Sequence, residues 1–141
     1  MTLEHTQTYL TETAELLTSL PDRRDLLESL IDLGSELETF PPELETDENY
    51  VPGCTSNVWI YTEMQPDGTV KIQGKSEALI VRGFVKILID ALSGLTPEEL
   101  KQTPPLIEQF VAETKISEST LATRANSFGL IYEKMLRQSC K

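Results

Sequence analysis

The sequence predicts an α+β fold, with a small antiparallel sheet of about three strands packed against several helices. Three observations predict it. From Asp22 to Leu37, apolar residues recur at helical spacing, with Leu26, Leu27, Leu30, Ile31, Leu33 and Leu37 on one stripe. Ala78 to Leu92 is apolar nearly all round, the mark of a central helix. Between them lies one block dense in Val, Trp, Ile and Tyr, followed by turn chemistry and a return. No internal repeat, low-complexity tract or linker divides the 141 residues, so a single domain over 1–141 is expected.

The elements follow in order. Thr8 to Leu20 carries leucines at 10, 16, 17 and 20 and reads as a helix, leaving residues 1–7 as a flexible tail. Pro21 sits where a first helical turn tolerates it, opening the striped helix from Asp22 to Leu37. Thr39 to Gly53 is a long acidic connection in which Pro41-Pro42 excludes helix, and Asn49 to Val51 is a short strand candidate. Val58 to Met64 is a strand; Gln65-Pro66-Asp67-Gly68 turns the chain, and Thr69 to Gln73 returns as a hairpin. Ser76 reads as the N-cap of the central helix, which ends near Ser93 before Gly94. Along it Arg82, Lys86 and Asp90 form the one polar line. Thr96-Pro97-Glu98-Glu99 fits a capping box, another helix begins near Pro105, and a last one runs from about Asn126 to Gln138.

Charge is unevenly placed. Residues 1–50 hold 13 acids and 2 bases and account for the whole net charge of −11, while residues 51–141 hold 10 of each. An acidic surface of this kind repels phosphate backbones and anionic lipid, so neither nucleic acid nor membrane is an expected partner. It reads as a solvated face or as a docking face for a basic partner. Hydrophobic residues at 39% and charged residues at 25% fit a globular chain rather than a disordered one. No basic segment precedes an apolar run at the N-terminus, so no secretory signal is expected.

The most informative stretch is Val51-Pro52-Gly53-Cys54-Thr55-Ser56-Asn57-Val58-Trp59, which puts a thiol at the tip of a Pro-Gly turn before a strand. Amides of that turn, with the hydroxyls of Thr55 and Ser56, are placed to favour a thiolate. A buried structural cysteine is the competing reading. Thiol hydrolysis lacks its base, because His5 is the only histidine and lies in the expected tail. A dithiol oxidoreductase lacks its Cys-x-x-Cys, and two cysteines with one histidine close neither a zinc site nor an iron–sulfur site. Cys140, next to the C-terminal residue, is treated as incidental. What survives is a lone thiol able to accept a group from another protein's sulfur, a reaction akin to thiol–disulfide exchange.

These residues resemble a family. Gly53-Cys54-Thr55-Ser56-Asn57-Val58-Trp59 is similar to the G-C-x-S-x-V-W signature of the SufE family of sulfur acceptors. Leu30-Ile31-Asp32-Leu33-Gly34 is similar to its L-I-x-L-G helix, and Ser76-Glu77-Ala78-Leu79-Ile80-Val81-Arg82-Gly83-Phe84 to its S-[ED]-A-x-I-V-[KR]-G-[LF] segment. Thr123-Arg124-Ala125-Asn126-Ser127-Phe128 resembles its [PT]-R-[SA]-N-G-[LF] segment.

The resemblance implies an α+β fold like that of SufE and of NifU-type scaffold proteins. It implies a sulfur-transfer accessory protein rather than a stand-alone enzyme. Such a protein accepts sulfane sulfur from the persulfide of a SufS-type cysteine desulfurase onto Cys54 and stimulates that enzyme. It then passes sulfur on to an iron–sulfur scaffold. It binds no cofactor itself, the desulfurase carrying pyridoxal phosphate, and the expected setting is the cytoplasm or an organelle stroma. Cys54 is the acceptor, with Gly53, Thr55 and Ser56 shaping its loop. Arg124, at the family's arginine position, either favours the Cys54 thiolate and docking or ties the last helix to the loop. Two positions depart from the pattern. Lys75 stands where other members often carry an acid, which bears on the partner surface. Ser127 stands where the pattern has Gly and is expected to affect only the entry of the last helix. In the free protein, the sulfur is expected to turn toward apolar neighbours. The alternatives are an acidic adaptor with a structural cysteine and a peroxide-sensing thiol.

Overall fold

A helix that is apolar nearly all round needs cover on most sides, and the central helix has it beyond its first residue, Leu79, which is exposed. The computed structural model describes residues 2–54, 56–116 and 127–139. In chain order these form α1 (Leu3–Thr18), α2 (Arg23–Gly34), a 3₁₀ turn (Pro42–Leu44), β1 (Val58–Met64), β2 (Val70–Ser76), α3 (Leu79–Leu92), α4 (Pro97–Leu100), α5 (Pro104–Thr114) and α6 (Ser127–Ser139). Val81, Phe84, Val85, Ile87, Leu88, Ala91 and Leu92 of α3 are all fully buried, packed between α1, α2, α6 and β2. Among the described residues, no helix is long and apolar enough to cross a membrane.

The first helix starts earlier than its leucines predict. Thr2 caps it by accepting from the amide of His5, and Thr6, Leu10, Ala14 and Leu17 make its buried stripe. Thr6 hydroxyl donates to the Ala91 carbonyl at 2.7 Å, which pins the start of α1 to the end of α3. Leu3 to Gln7 are therefore helical rather than a tail, and His5 belongs to α1. In α2, Asp22 rather than Pro21 sets the start, accepting from the amide of Asp25 at 3.0 Å. The helix stops at Gly34, short of the predicted Leu37.

Glycine fixes how α2 and α3 cross. A Cβ added at Gly34 would lie 2.5 Å from Arg82 Cβ, and one at Gly83 would lie 2.9 Å from Leu30 Cα and closer still to its carbonyl oxygen. Side chains at either position would push the two helix backbones apart.

The hairpin matches its prediction in kind. β1 and β2 pair antiparallel from Val58↔Ser76 to Met64↔Val70, and the turn closes through Gln65 N–H donating to Thr69 O at 2.7 Å. The return strand continues three residues beyond the predicted Gln73. Ser76 is therefore the last strand residue and not a helix cap; Ala78 occupies the cap position of α3, and the Ser76 hydroxyl accepts from its amide at 3.1 Å. Gly94, at φ 98°, ends α3, and its N–H donates to Val70 O at 2.7 Å.

The predicted third strand shrinks to one bridge, Tyr50↔Trp59, so among the described residues the sheet has two strands rather than about three. Two hydrogen bonds flank the bridge, Val51 N–H to Val58 O and Ile60 N–H to Asn49 O, both 2.8 Å. The ladder cannot extend, because Pro52 has no amide to donate and Gly53 turns the chain away. The Pro41-Pro42 segment also differs from its prediction: proline at the first position of a 3₁₀ turn loses no bond, and Pro42–Leu44 forms one.

Thr96 and Glu99 form the predicted capping box of α4. α6 lies across β1 and α3. Its Phe128 packs edge-on against Phe84 and stacks with Phe110, at centroid distances of 5.7 and 5.8 Å. Thr103 and Tyr132 hydroxyls meet at 2.7 Å inside the same core.

Candidate functional site

The thiol loop is the segment left over when the bridge at Tyr50↔Trp59 closes. Val51 and Val58, joined by their backbone hydrogen bond, are both buried and form the neck of the loop. Pro52 and Gly53 make its exposed turn, with Gly53 at φ 90°. Only glycine adopts that angle without strain. A Cβ there would also come within 3.1 Å of Leu130 Cδ1 on α6.

The far side of the loop is fastened to the junction of β2 and α3. Ser56 and Ser76 hydroxyls are 3.4 Å apart. The Glu77 amide donates to Asn57 O at 3.2 Å, and the Asn57 side-chain amide donates to the Glu77 carboxylate. Tyr50 hydroxyl donates to the Asn57 side-chain oxygen at 3.1 Å, closing the neck from the other side. Arg82 Nε donates to Ser76 O at 2.7 Å, so the first turn of α3 holds the same junction.

Cys54 sits between these fastenings. It is half-buried and packs against the hydrophobic core, in the direction expected for a concealed sulfur. Burial pushes its thiol pKa up, because the charged thiolate loses hydration, and a hydrogen bond from the Ser127 side chain opposes that rise. Ser127 is the first residue of α6 and itself 2% exposed. Its role thus reaches beyond the helix entry expected of it. A hydroxyl at the first turn of a late helix has no local signature of contact with an early loop. The substitution of Ser for the pattern's Gly was the signal available.

The structure gathers the family-like segments. Gly34 of the first meets Arg82 and Gly83 of the third; Ser76 and Glu77 of the third meet Ser56 and Asn57 of the second; Ser127 of the fourth meets Cys54. Gly53, Cys54 and Ser56 are thereby placed in one loop. Thr55, Arg124 and Cys140 lie outside the described residues. Trp59 is half-buried, edge-on to Tyr50 at 6.0 Å, with the Lys75 ammonium 5.9 Å from its ring. Lys75 also pairs with Glu45 at 3.1 Å, so the position that departs from the pattern ties the acidic connection to the sheet. Among the described residues, no three Cys, His, Asp or Glu side chains converge as a metal site would require.

The chain is similar to several known proteins. The family model described as "SufE: Fe-S metabolism associated domain" matches residues 11–139. A SufE-like protein of Synechocystis is 37% identical over 114 residues, covering 81% of this chain and 69% of that protein. The sulfur acceptor protein CsdE of Escherichia coli is 35% identical over 100 residues, covering 68% of each. The cysteine desulfuration protein SufE of Plasmodium falciparum is 31% identical over 131 residues, covering 89% of this chain but 51% of that protein. A solution structure of a Thermus thermophilus protein shares the fold, with a TM-score of 0.72 and 20% identity over 93% of both chains.

Proposed function

The chain belongs to the SufE family, and on that premise we propose that Cys54 accepts sulfane sulfur from the persulfide of a cysteine desulfurase. The observation that carries the reading is a half-buried thiol at the tip of a loop fastened on both sides. The chemistry needs little else. The Cys54 thiolate attacks the outer sulfur of the partner's persulfide, the partner's S–S bond breaks, and its cysteine leaves as a thiolate. Cys54 then carries the outer sulfur as a persulfide, with no net oxidation or reduction. Clearing the persulfide frees the desulfurase for another turnover, so acceptance and stimulation are one event.

The loop suits the task because its neck is buried and hydrogen-bonded and its tip is short. Docking has to turn a single residue outward rather than unfold an element. Concealment between visits shields a persulfide from water and oxidants. The partner in this reading is a desulfurase of the SufS type, which brings the pyridoxal phosphate. The recipient is an iron–sulfur scaffold, and the setting is the cytoplasm or an organelle stroma. Gly53 and Ser56 hold the loop, and Thr55 and Arg124 are assigned to support of the thiolate or of docking.

The test is intact mass after incubation with cysteine and a SufS-type desulfurase. The expected result is a gain of one sulfur on the wild type, reversed by reductant and absent from Cys54→Ala. A wild type without the gain, or a Cys54→Ala variant with the same gain, overturns the proposal.

A further inference from the structure

The polar line of α3 is not absorbed by the thiol loop. Its Lys86 and Asp90 line a cavity of about 130 Å³ between β2, α3 and the connection after α2, together with Ile72, Gly74 and Ser93. None of the residues that fasten the thiol loop lines it. The free edge of β2 forms one wall. Val70 turns its backbone away from β1, its N–H donating to Leu95 O and its carbonyl accepting from the Gly94 N–H. Alternate residues of a strand share a side, so Ile72, Gly74 and Ser76 turn theirs the same way. The Ile72 N–H donates to Ser93 Oγ at 3.0 Å, and Ser76 O accepts from Arg82 Nε at 2.7 Å. Between these bonds, Ile72 O and both backbone groups of Gly74 have no partner among the described residues. Gly74 is buried, and buried backbone groups are almost always paired. The cavity gives such a partner room to sit.

We propose that this cavity binds a small α-amino acid, no larger than alanine, serine or cysteine. Size sets the limit: a cavity of about 150 Å³ holds one benzene, and these amino acids are of that order. Charge selects the class. Lys86 and Asp90 pair at 3.1 Å with side chains 20% and 30% exposed, so the pair is neutral as a whole. At the rim, the exposed Glu38 and Lys71 also cancel. A bare anion or cation would bring a charge that nothing balances, whereas a zwitterion brings none. Both members of the pair keep capacity, since an ammonium has several donors and a carboxylate several acceptor sites. Tyr9 hydroxyl, 3.5 Å from Asp90 Oδ2, takes only one of these. Lys86 and the Gly74 N–H supply donors for the ligand's carboxylate. Asp90 and the carbonyls of Ile72 and Gly74 supply acceptors for its ammonium. Leu37 and Ile89 give a short side chain an apolar wall.

The inference goes beyond the acceptor reading and stands without it. Its test is an amide NMR titration of the isotope-labelled full chain with L-alanine, which cannot react with Cys54. The Gly74 and Ser93 amides are expected to shift and to saturate, with a dissociation constant on the order of 1 mM. Propionate lacks the ammonium, ethylamine lacks the carboxylate, and leucine exceeds the cavity. Each is expected to bind at least about tenfold more weakly, the worth of a lost hydrogen bond to a charged group or of a poor fit. Lys86→Met keeps the stem and removes the ammonium, and is expected to weaken alanine binding by about tenfold or more. The ligand series is read on the wild type, so it decides the matter even if this variant fails to fold. Shifts that stay linear to about ten times that constant, or that centre elsewhere in the chain, overturn the proposal. So does a match to alanine by propionate, ethylamine, leucine or glycerol, which would report a polar hollow open to any small solute. So does a folded Lys86→Met that binds alanine as the wild type does.

Discussion

Gly83 of α3 lies against the backbone of Leu30 in α2, with no room for even a methyl group between them. Backbone cannot rotate away as a side chain can, so Gly83→Ala has to separate the two helices. Overpacking of this kind costs about 1–3 kcal/mol, and the rigid neighbour puts this case at the upper end. For a chain of this length that is a fall in Tm on the order of 5–10 °C. Thermal unfolding followed by circular dichroism measures it, and an unchanged Tm would show that the crossing adjusts freely.

The anchoring of α1 gives a second expectation. Thr6→Val keeps the shape of the side chain and removes the donor to the Ala91 carbonyl. The loss is expected to cost about 1 kcal/mol, the net worth of one hydrogen bond. Its signature is local. Amide hydrogen exchange should quicken from Thr6 to Leu10 while α2 and β1 keep their protection. Uniform quickening across the chain would instead mean that α1 unfolds only with the whole domain.

These two contacts also show what was legible in the sequence. β1 was readable to the residue because Val58 to Met64 is a dense β-forming block bounded by Asn57 and Gln65-Pro66. α3 and the α4 capping box were readable because both signals are local. The start of α1 was not, because the group that holds it is a threonine hydroxyl meeting a carbonyl on a helix far along the chain. Ser76 failed for another reason: a serine before a helix looks the same whether it caps the helix or ends the preceding strand, and pairing with Val58 decides. At the site, Cys54, Gly53 and Ser56 stood out by their own loop. Ser127 did not, since its partner is set by where α6 lands on the sheet.

Gly53 is expected to be intolerant of substitution for two separable reasons. Its φ of 90° strains any L residue by about 1–2 kcal/mol, and a Cβ would also press on Leu130. Gly53→Ala should therefore lower stability by roughly 1–3 kcal/mol in urea unfolding. Adding Leu130→Ala relieves the contact and leaves the dihedral strain. The double variant should then lie closer to Leu130→Ala than the sum of the two single changes. Strict additivity would assign the whole effect to the backbone angle.

The alkaline limb of the stability curve should carry the mark of Cys54. Burial raises its thiol pKa in the folded chain above the unfolded value, with Ser127 reducing that rise. Below the unfolded value, near 8.5 for a free cysteine, both states hold the proton and the folded state keeps its full advantage. As pH climbs past it, the unfolded chain ionises first, and stability declines until the folded thiol titrates as well. Cys54→Ala lacks this group, so its stability should fall less steeply than the wild type's above about pH 8.5. Cys140 is present in both chains, and its titration is common to the comparison. Urea midpoints collected across that range decide the matter. Parallel curves for the two proteins would mean that Cys54 ionises as readily in the folded loop as in the open chain.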